Sequence, residues 1–488
     1  MDKHEQHSEQ DETNLPQAKQ TWRQRGDELA EQKRFEEALE AYEQAIHLDA
    51  QDAPAWKSKA MMLTELGRHE EAIITYNAAL GLAPTNASIY YDKGISLDAL
   101  QRYEEALEAY NQTLQLDPSY AYAYHNKGYD LAKLGKYEEA LLAYDQALSL
   151  TPDDADSYRN KGDSLGDLGR YEEALLAYEQ ALSLAPDDSD IYYNKGYILT
   201  KLDRYEEALL AYDQALRLAP HDVQTYHNKG VALAHLQRHE EAIDVYDTAL
   251  RLDPTNLRIY SDKGYSLEEL GRYEEALATY NEALRLDPAD GGISFDKGIS
   301  LAALGRYEEA VKAYDAALTL EPKNASIHYN KGNSLAELGL TAEAIKSYEQ
   351  ALQLDPHHAS ALIGKGVCLI ELKRYEEALL AYDQALQLNP HNALASINKG
   401  LVLARLGRYE EALVTYDRAL QLDPTDGQTY YYKGIALSHL KRYEEAVKAY
   451  DAALRLNPKD KDAYMRKGEA LLALYPYIPP RNADQQGK

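Results

Sequence analysis

The stretch HEEAI, at residues 69–73 and again at 239–243, begins like a zinc-protease helix, in which two histidines hold the metal and a glutamate serves as base. The second histidine that the metal needs one helical turn further on is missing in both copies. GKG at 364–366 lacks the glycine spacing before it and the Ser or Thr after it that a phosphate-binding loop requires. His357 and His358 adjoin in a predicted turn with no third ligand, and read as solvated side chains. Glutamate pairs such as Glu172 and Glu173 recur too regularly to be a carboxylate dyad, and no catalytic triad is present. Cys368 is the only cysteine, so one chain can build neither a disulfide nor a thiolate zinc site, and it reads as small core filler. No catalytic residue, metal or cofactor is expected.

Composition narrows the partners. A formal net charge of −29 opposes a polyphosphate ligand, because nucleic-acid binding needs a basic face that releases counterions. No apolar run approaches the ~20 residues that span a bilayer, and the N-terminus lacks the apolar core of a secretion signal. The expectation is therefore a cytoplasmic chain that binds neither nucleic acid nor membrane. One feature is unusual: 42 tyrosines stand beside 2 phenylalanines and 2 tryptophans.

The elements behind these residues repeat. Twelve prolines recur at one constant interval, from Pro84, Pro118 and Pro152 onward to Pro458. Placing that proline at position 32 defines thirteen units, from 19–52 to 427–460, preceded by a polar tail (1–18) predicted to be disordered. Residues 461–474 read as a capping helix and 475–488 as a proline-rich tail. Within a unit, positions 4, 8 and 11 (Tyr124, Gly128, Leu131) and positions 20, 24 and 27 (Ala140, Tyr144, Ala147) each form one helical stripe. A short turn such as LGK separates them, so each unit is a helical hairpin closed by proline. Glycine at position 8 costs about 1 kcal/mol in a helix, yet only Ala60 replaces it. Close approach of the two helices, glycine 8 against alanine 20, is the expected gain.

The aromatic, glycine, leucine, alanine, tyrosine, alanine and proline recurring at positions 4, 8, 11, 20, 24, 27 and 32 resemble the tetratricopeptide repeat. The resemblance covers residues 19–460. It implies an all-α, right-handed solenoid whose first helices line a concave groove, in a protein that holds peptides or partner proteins and performs no chemistry itself. The carboxylate clamp of chaperone-binding members is not matched, since its nearest start, Arg159, is followed by Asp163 where asparagine is needed. Position 4 loses its aromatic at Ser294, His328, Leu362 and Ser396, while Phe295, Tyr329 and Ile397 stand one place later. Either those helices rotate or the groove there is lined differently.

Family members commonly carry leucine at position 7, where this chain has lysine in every unit from Lys59 to Lys467, preceded by Arg25. A cationic ligand ladder would be local, whereas this residue is everywhere. The expected role is a polar seam between hairpins, with the stems covered and the ammonium groups on acids such as those at position 25.

Positions 4, 17 and 24 absorb most of the tyrosines. Among the remainder, Tyr91, Tyr122, Tyr129, Tyr193, Tyr197 and Tyr265 fall at positions that face the groove in the resembled fold, as do Tyr120, Tyr329, Tyr431 and Tyr432. Asn126, Asn160, Asn194 and Asn228 form a series at position 6, where amides could pair with the backbone of an extended peptide or could be neutral copies of one unit. A second, apolar candidate comprises Ile363, Val367, Ile370, Leu394, Ile397 and Leu401, as groove patch or rearranged core. The leading expectation is a noncatalytic scaffold that holds a peptide or partner protein over units 3 to 8. Two alternatives are a substrate-recruiting subunit for a separate enzyme, such as a glycosyltransferase, and self-association through the C-terminal tail.

Overall fold

The computed structural model describes residues 5–475, with side chains from residue 17 onward. The described residues form 27 helices and no strand. Each repeat from the second on contributes a 13-residue helix A and a 14-residue helix B, for example Ala121–Lys133 and Tyr137–Leu150. The chain divides into two compact units between Leu252 and Asp253. In each unit, helix A packs on helix B of its own repeat and helix B packs on the next helix A. Successive A helices also touch, as Ala121–Lys133 does Ala155–Asp167, whereas successive B helices make no comparable contact. The A helices are thus the closely spaced row. The capping helix occupies Lys461–Leu474, as the sequence indicates.

Local chemistry sets the helix ends. Asp52, Asp188, Asn324 and Asp460, all at position 34, accept hydrogen bonds from the first free backbone N–H groups of the following helix A. Helix A stops in a left-handed residue at position 15, such as Gly67 at φ 71°. There Arg68 N–H returns to Leu63 C=O at 2.8 Å and Gly67 N–H to Thr64 C=O at 3.0 Å, a Schellman closure. Where position 15 is not glycine, Lys33, Gln101 and Asp203 adopt the same conformation. Helix B has no side-chain cap. Its arginine at position 16 instead grips the first-turn glutamate with two bonds, as Arg204 does Glu207 at 2.7 Å each.

The glycine at position 8 makes room for a ring rather than for alanine 20. A Cβ on Gly128, Gly162 or Gly196 would stand 2.6 Å from the ring of Tyr144, Tyr178 or Tyr212, the position 24 tyrosine of the same repeat. Those rings are fully buried, or nearly so, in all thirteen repeats. In the capping helix, the last described helix, a Cβ on Gly468 would meet nothing within 4 Å.

The lysine seam is present, and its pairing is regular. Lys161 reaches Asp145 at 2.6 Å, Lys195 reaches Glu179 at 3.1 Å and Lys229 reaches Asp213 at 2.6 Å, each on position 25 of the preceding helix B. The second unit repeats this with Lys365 on Glu349 at 2.8 Å and Lys399 on Asp383 at 2.6 Å.

A further expectation fails, and one of two alternatives is favoured. The tail predicted to be disordered is helical from residue 5, because the first helix A runs Glu5–Glu31 with Pro16 inside it. Glutamate, glutamine and lysine favour a helix there, no glycine interrupts them, and one proline removes a single main-chain bond. The repeats lacking a position 4 aromatic show no rotated helix. Phe295 and Tyr329 sit on the buried Tyr314 and Tyr348 as position 5 aromatics do elsewhere. Ser294 and Ser396 turn their hydroxyls onto the carbonyls of Asp290 and Asn392. Residues 1–4 and the tail from 476 lie outside the described residues.

Gly196→Ala should lower stability by ~1–2 kcal/mol, overpacking against Tyr212 outweighing the gain in helix propensity. Gly468→Ala, with open space around it, should leave stability unchanged or raise it by up to ~1 kcal/mol. Urea melts of the two variants read the opposite signs.

Candidate functional site

In each unit the tyrosine and asparagine series lies on the A helices, apart from Tyr120, which immediately precedes the helix Ala121–Lys133. The base of the A-helix face is a row of aromatic groups at position 5, each seated on the buried tyrosine of its own repeat. Tyr91 lies 5.9 Å from Tyr110, His125 6.0 Å from Tyr144, and Tyr193 6.3 Å from Tyr212, centroid to centroid. In the second unit Tyr431 stands 6.1 Å from Tyr450. The histidines at this position, His125 and His227, were not singled out in the sequence, although their shared position with Tyr91 is a signal that could have found them.

Two polar rungs cross between successive A helices. In the first, position 5 meets position 6 of the next repeat: Asn126 Nδ2 donates to Tyr91 Oη at 3.4 Å, Asn228 Nδ2 to Tyr193 Oη at 3.1 Å, and Lys57 pairs with Asp92 at 3.1 Å. Asn194 instead donates to Asp163 Oδ1 at 2.9 Å, which also accepts Tyr178 Oη at 2.6 Å. Three of the four amides therefore spend their N–H groups inside the protein. Burial pushes the Tyr91 phenol up to about 12. Burial likewise raises the Asp163 carboxyl, against the lowering pull of Tyr178 and Arg159.

The second rung joins position 12 to position 10 of the next repeat. Thr64 meets Ser96 at 2.9 Å, and Glu268 accepts the hydroxyl of Ser300. Between repeats 3 and 4 the same rung is two carboxyls, Asp98 and Asp130. Asp130 is fully buried, and neither of its oxygens finds a donor outside the pair. Burial and the neighbouring Asp98 charge hold Asp130 protonated far above the usual carboxylate range. Burial also raises Asp98 and, in the second unit, lifts Glu268 to about 7 and Asp296 to about 6. Nothing in the repeat pattern marks these acids, because their neighbours arrive from the next repeat.

Above this base, Tyr122 is 67% exposed and Tyr197 43% exposed, while Tyr129 is half-buried. Lys133 Nζ lies 5.0 Å over the Tyr129 ring and Lys201 Nζ 5.1 Å over that of Tyr197. Tyr265 is exposed in the second unit, so a groove running through repeats 3 to 8 would straddle two units, and each face stands by itself. The apolar candidate divides. Ile363 and Ile370 pack on the core, Ile397 and Leu401 are half-buried, and Val367 and Leu394 are exposed. Leu362 enters the core in place of the missing aromatic. The site is therefore largely rearranged core with two exposed side chains.

The chemical motifs stay silent in three dimensions. GKG at 364–366 lies inside the helix Ala359–Glu371. His358 caps that helix through Nδ1, at 3.3 Å from Ala361 N–H, and its ring lies tilted against Tyr329 with centroids 4.7 Å apart. No group of three His, Cys, Asp or Glu side chains among the described residues could hold a metal. Cys368 is buried, and burial pushes its thiol up to about 11. No described helix is long and apolar enough to cross a membrane.

Tandem helical hairpins stacked in this way define an all-α solenoid of the interaction-scaffold class. The tetratricopeptide repeat model matches residues 23–87, 159–223, 261–326 and 329–393, more than half of the chain, with further repeat models at 87–120, 128–169 and 221–289. The chain belongs to the tetratricopeptide repeat family. A model of the N-terminal repeat region of Psidin also matches residues 367–477. Arrays of this family are typically noncatalytic and bind proteins or peptides, and this chain is a protein-interaction scaffold. No curated protein sequence matches it. Among solved structures, it is similar to YrrB, a TPR protein with an unusual peptide-binding site, at 24% identity over 39% of this chain and 97% of that one, with a TM-score of 0.36. MamA matches at 25% identity over 39% and 98%, with a TM-score of 0.33. Pseudomonas aeruginosa PilF matches at 19% over 47% and 99%, with a TM-score of 0.39.

The Asp130 carboxyl gives a pH dependence of definite sign. It binds its proton more tightly folded than unfolded, so its contribution is fully present below about pH 4 and is lost as pH rises toward about 8. Asp130→Ser, which installs the residue that repeats 3 and 5 carry there, should raise stability at pH 8 by at least ~1 kcal/mol and leave it nearly unchanged at pH 4. Melting curves of parent and variant at both values measure the difference.

Proposed function

We propose that the A-helix face of repeats 3 to 6 holds an extended segment of a partner protein. The observation that carries this reading is the set of phenols standing free of the core on that face. Tyr122, Tyr129 and Tyr197 are required neither by helix formation nor by the hairpin core, since other repeats carry Ser88, Ile95 or Val231 at the same positions. Large rigid side chains with a polar tip suit a contact surface. Lys133 and Lys201, placed over two of the rings, hold them in position.

The asparagine series takes a narrower part than a full ladder. Asn126, Asn194 and Asn228 brace the wall through their N–H groups, and Asn228 also accepts Gln224 at 3.1 Å. Asn160, in the middle of the series, closes no side-chain hydrogen bond among the described residues and has both donor and acceptor available for a peptide backbone.

Affinity capture with the full chain as bait tests the proposal. Tyr129→Ala with Tyr197→Ala, and separately Asn160→Ala, should reduce the captured partner at least ~5-fold, about 1 kcal/mol, with melting unchanged. Asn194→Ala should instead cost ~1–2 kcal/mol of stability, because Asp163 loses a donor. Equal capture by the tyrosine variant would sink the reading.

A further inference from the structure

The B-helix row of the first compact unit carries a feature that hairpin packing does not explain. Position 22 is leucine in three consecutive repeats, and Leu142, Leu176 and Leu210 are 68%, 63% and 66% exposed. The helix does not need them. Repeats 1, 3 and 7 carry Glu40, Glu108 and Asp244 at that position, and their B helices have the same 14-residue length. Exposed apolar side chains aligned along successive helices mark a contact surface rather than a packing requirement.

The column ends in a cleft of 410 Å³ between the helices Tyr205–Leu218 and His239–Leu252. Leu209, Leu210, Leu233 and Val245 line it, together with Glu206 and Asp244. The cations nearby are already committed. Lys229 holds Asp213 at 2.6 Å, and Arg238 grips Glu241 with two bonds of 2.6 Å. Along the column, Arg170 and Arg204 grip Glu173 and Glu207 and reach back to Glu138 and Glu172 at 3.4 Å. Glu206 shares only the field of Arg238, whose bonds go to Glu241, and acids stand at both ends of the column, Glu139 one turn before Leu142 and Glu206 and Asp244 beside Leu210 in the cleft. An apolar strip is thus bordered by surplus negative charge.

We propose that this strip, from Leu142 through Leu210 into the cleft, docks a basic amphipathic helix of another protein. Its apolar face would lie on the leucines and its lysines or arginines against Glu139, Glu206 and Asp244. Charge complementarity selects that occupant, because a second copy of this chain would bring an acidic surface, at a net charge of −29, against acids. A helix is favoured over an extended strand because the B helices satisfy their main-chain groups internally and offer no edge for a strand to pair with. The surface lies on the B-helix row, away from the tyrosines of the A-helix face, and the two proposals stand or fall separately.

The test uses the full chain and a synthetic helical peptide of about 20 residues, long enough to span ~30 Å, with leucines along one face and lysines flanking them. Binding is followed by fluorescence anisotropy at physiological salt, where unspecific charge attraction is screened. Leu142→Glu/Leu176→Glu/Leu210→Glu places at each site the residue found in repeats 1 and 3, so the fold should persist, as circular dichroism checks. Binding at least ~10-fold weaker in this variant, with Tyr129→Ala/Tyr197→Ala binding like the parent, supports the proposal. Three outcomes overturn it. The triple variant binds the peptide equally well; a peptide of the same composition with its leucines scattered around the helix binds equally well; or light scattering shows the parent doubling its mass and the triple variant not, which would make the occupant a second copy.

Discussion

Each hairpin closes on a tyrosine ring that occupies the space a glycine leaves empty. The position 24 ring of helix B lies against position 8 of helix A so closely that one added methyl would overlap it. This single fit explains two biases of the composition: why tyrosine recurs without exception at position 24, and why a poor helix former is kept in the middle of helix A. Ala60 in repeat 2 is the one departure, in a repeat where the Tyr76 hydroxyl also meets Thr64 at 3.4 Å. Stability is distributed accordingly. Every hairpin but the second carries the same closure and each contacts mainly its neighbours, the arrangement in which stability is a sum of hairpin and neighbour terms.

Between hairpins the connections are polar as well as apolar. The lysine seam lies on the B-helix side and the two rungs lie between A helices, so within each compact unit hairpin interfaces carry hydrogen bonds in addition to the burial of leucine and alanine. Single exposed pairs such as Lys195 with Glu179 contribute little individually, on the order of 0–1 kcal/mol, and they fix register more than they add stability. The buried rungs differ. Where Thr64 and Ser96 satisfy one another the rung is benign, whereas Asp98 and Asp130 place two acids in the same slot and must hold a proton to do so. A chain that keeps this arrangement accepts a stability that falls as the pH rises.

These constraints leave two surfaces unclaimed. Tyr122, Tyr129 and Tyr197 on helix A and Leu142, Leu176 and Leu210 on helix B are not needed for closure or stacking, and at their positions the repeats vary in chemistry, from tyrosine to aspartate and from leucine to lysine. A scaffold of identical hairpins can distinguish partners only through such positions. In the first unit the A helices of repeats 3 to 6 offer phenols and the Asn160 amide, and the B helices offer leucines edged by acid.

The period, the hairpin, the closing proline and the capping helix were legible in the sequence because each depends on residues within one or two helical turns, or on a spacing that recurs in every unit. The lysine seam was legible for the same reason, but its pairing was not: acids at positions 18, 19 and 25 were all candidates, and the structure selects position 25 of the preceding unit, an acid for Lys161 and the Asn111 amide for Lys127. What the sequence could not decide was which side chains from adjacent repeats share a slot. Asn126 and Asn228 look like free amides until the tyrosine of the preceding repeat is brought alongside, and Ile363 and Ile370 look like a binding patch until the core is seen to extend to them. Asp98 and Asp130 belong to different repeats, unremarkable along the chain, and become one proton-sharing pair only when two A helices lie side by side. Local propensity and periodicity act within a hairpin and can be read from one string of letters. Burial, and the shift in charge that follows from it, belongs to the interface between hairpins and exists only once they stack.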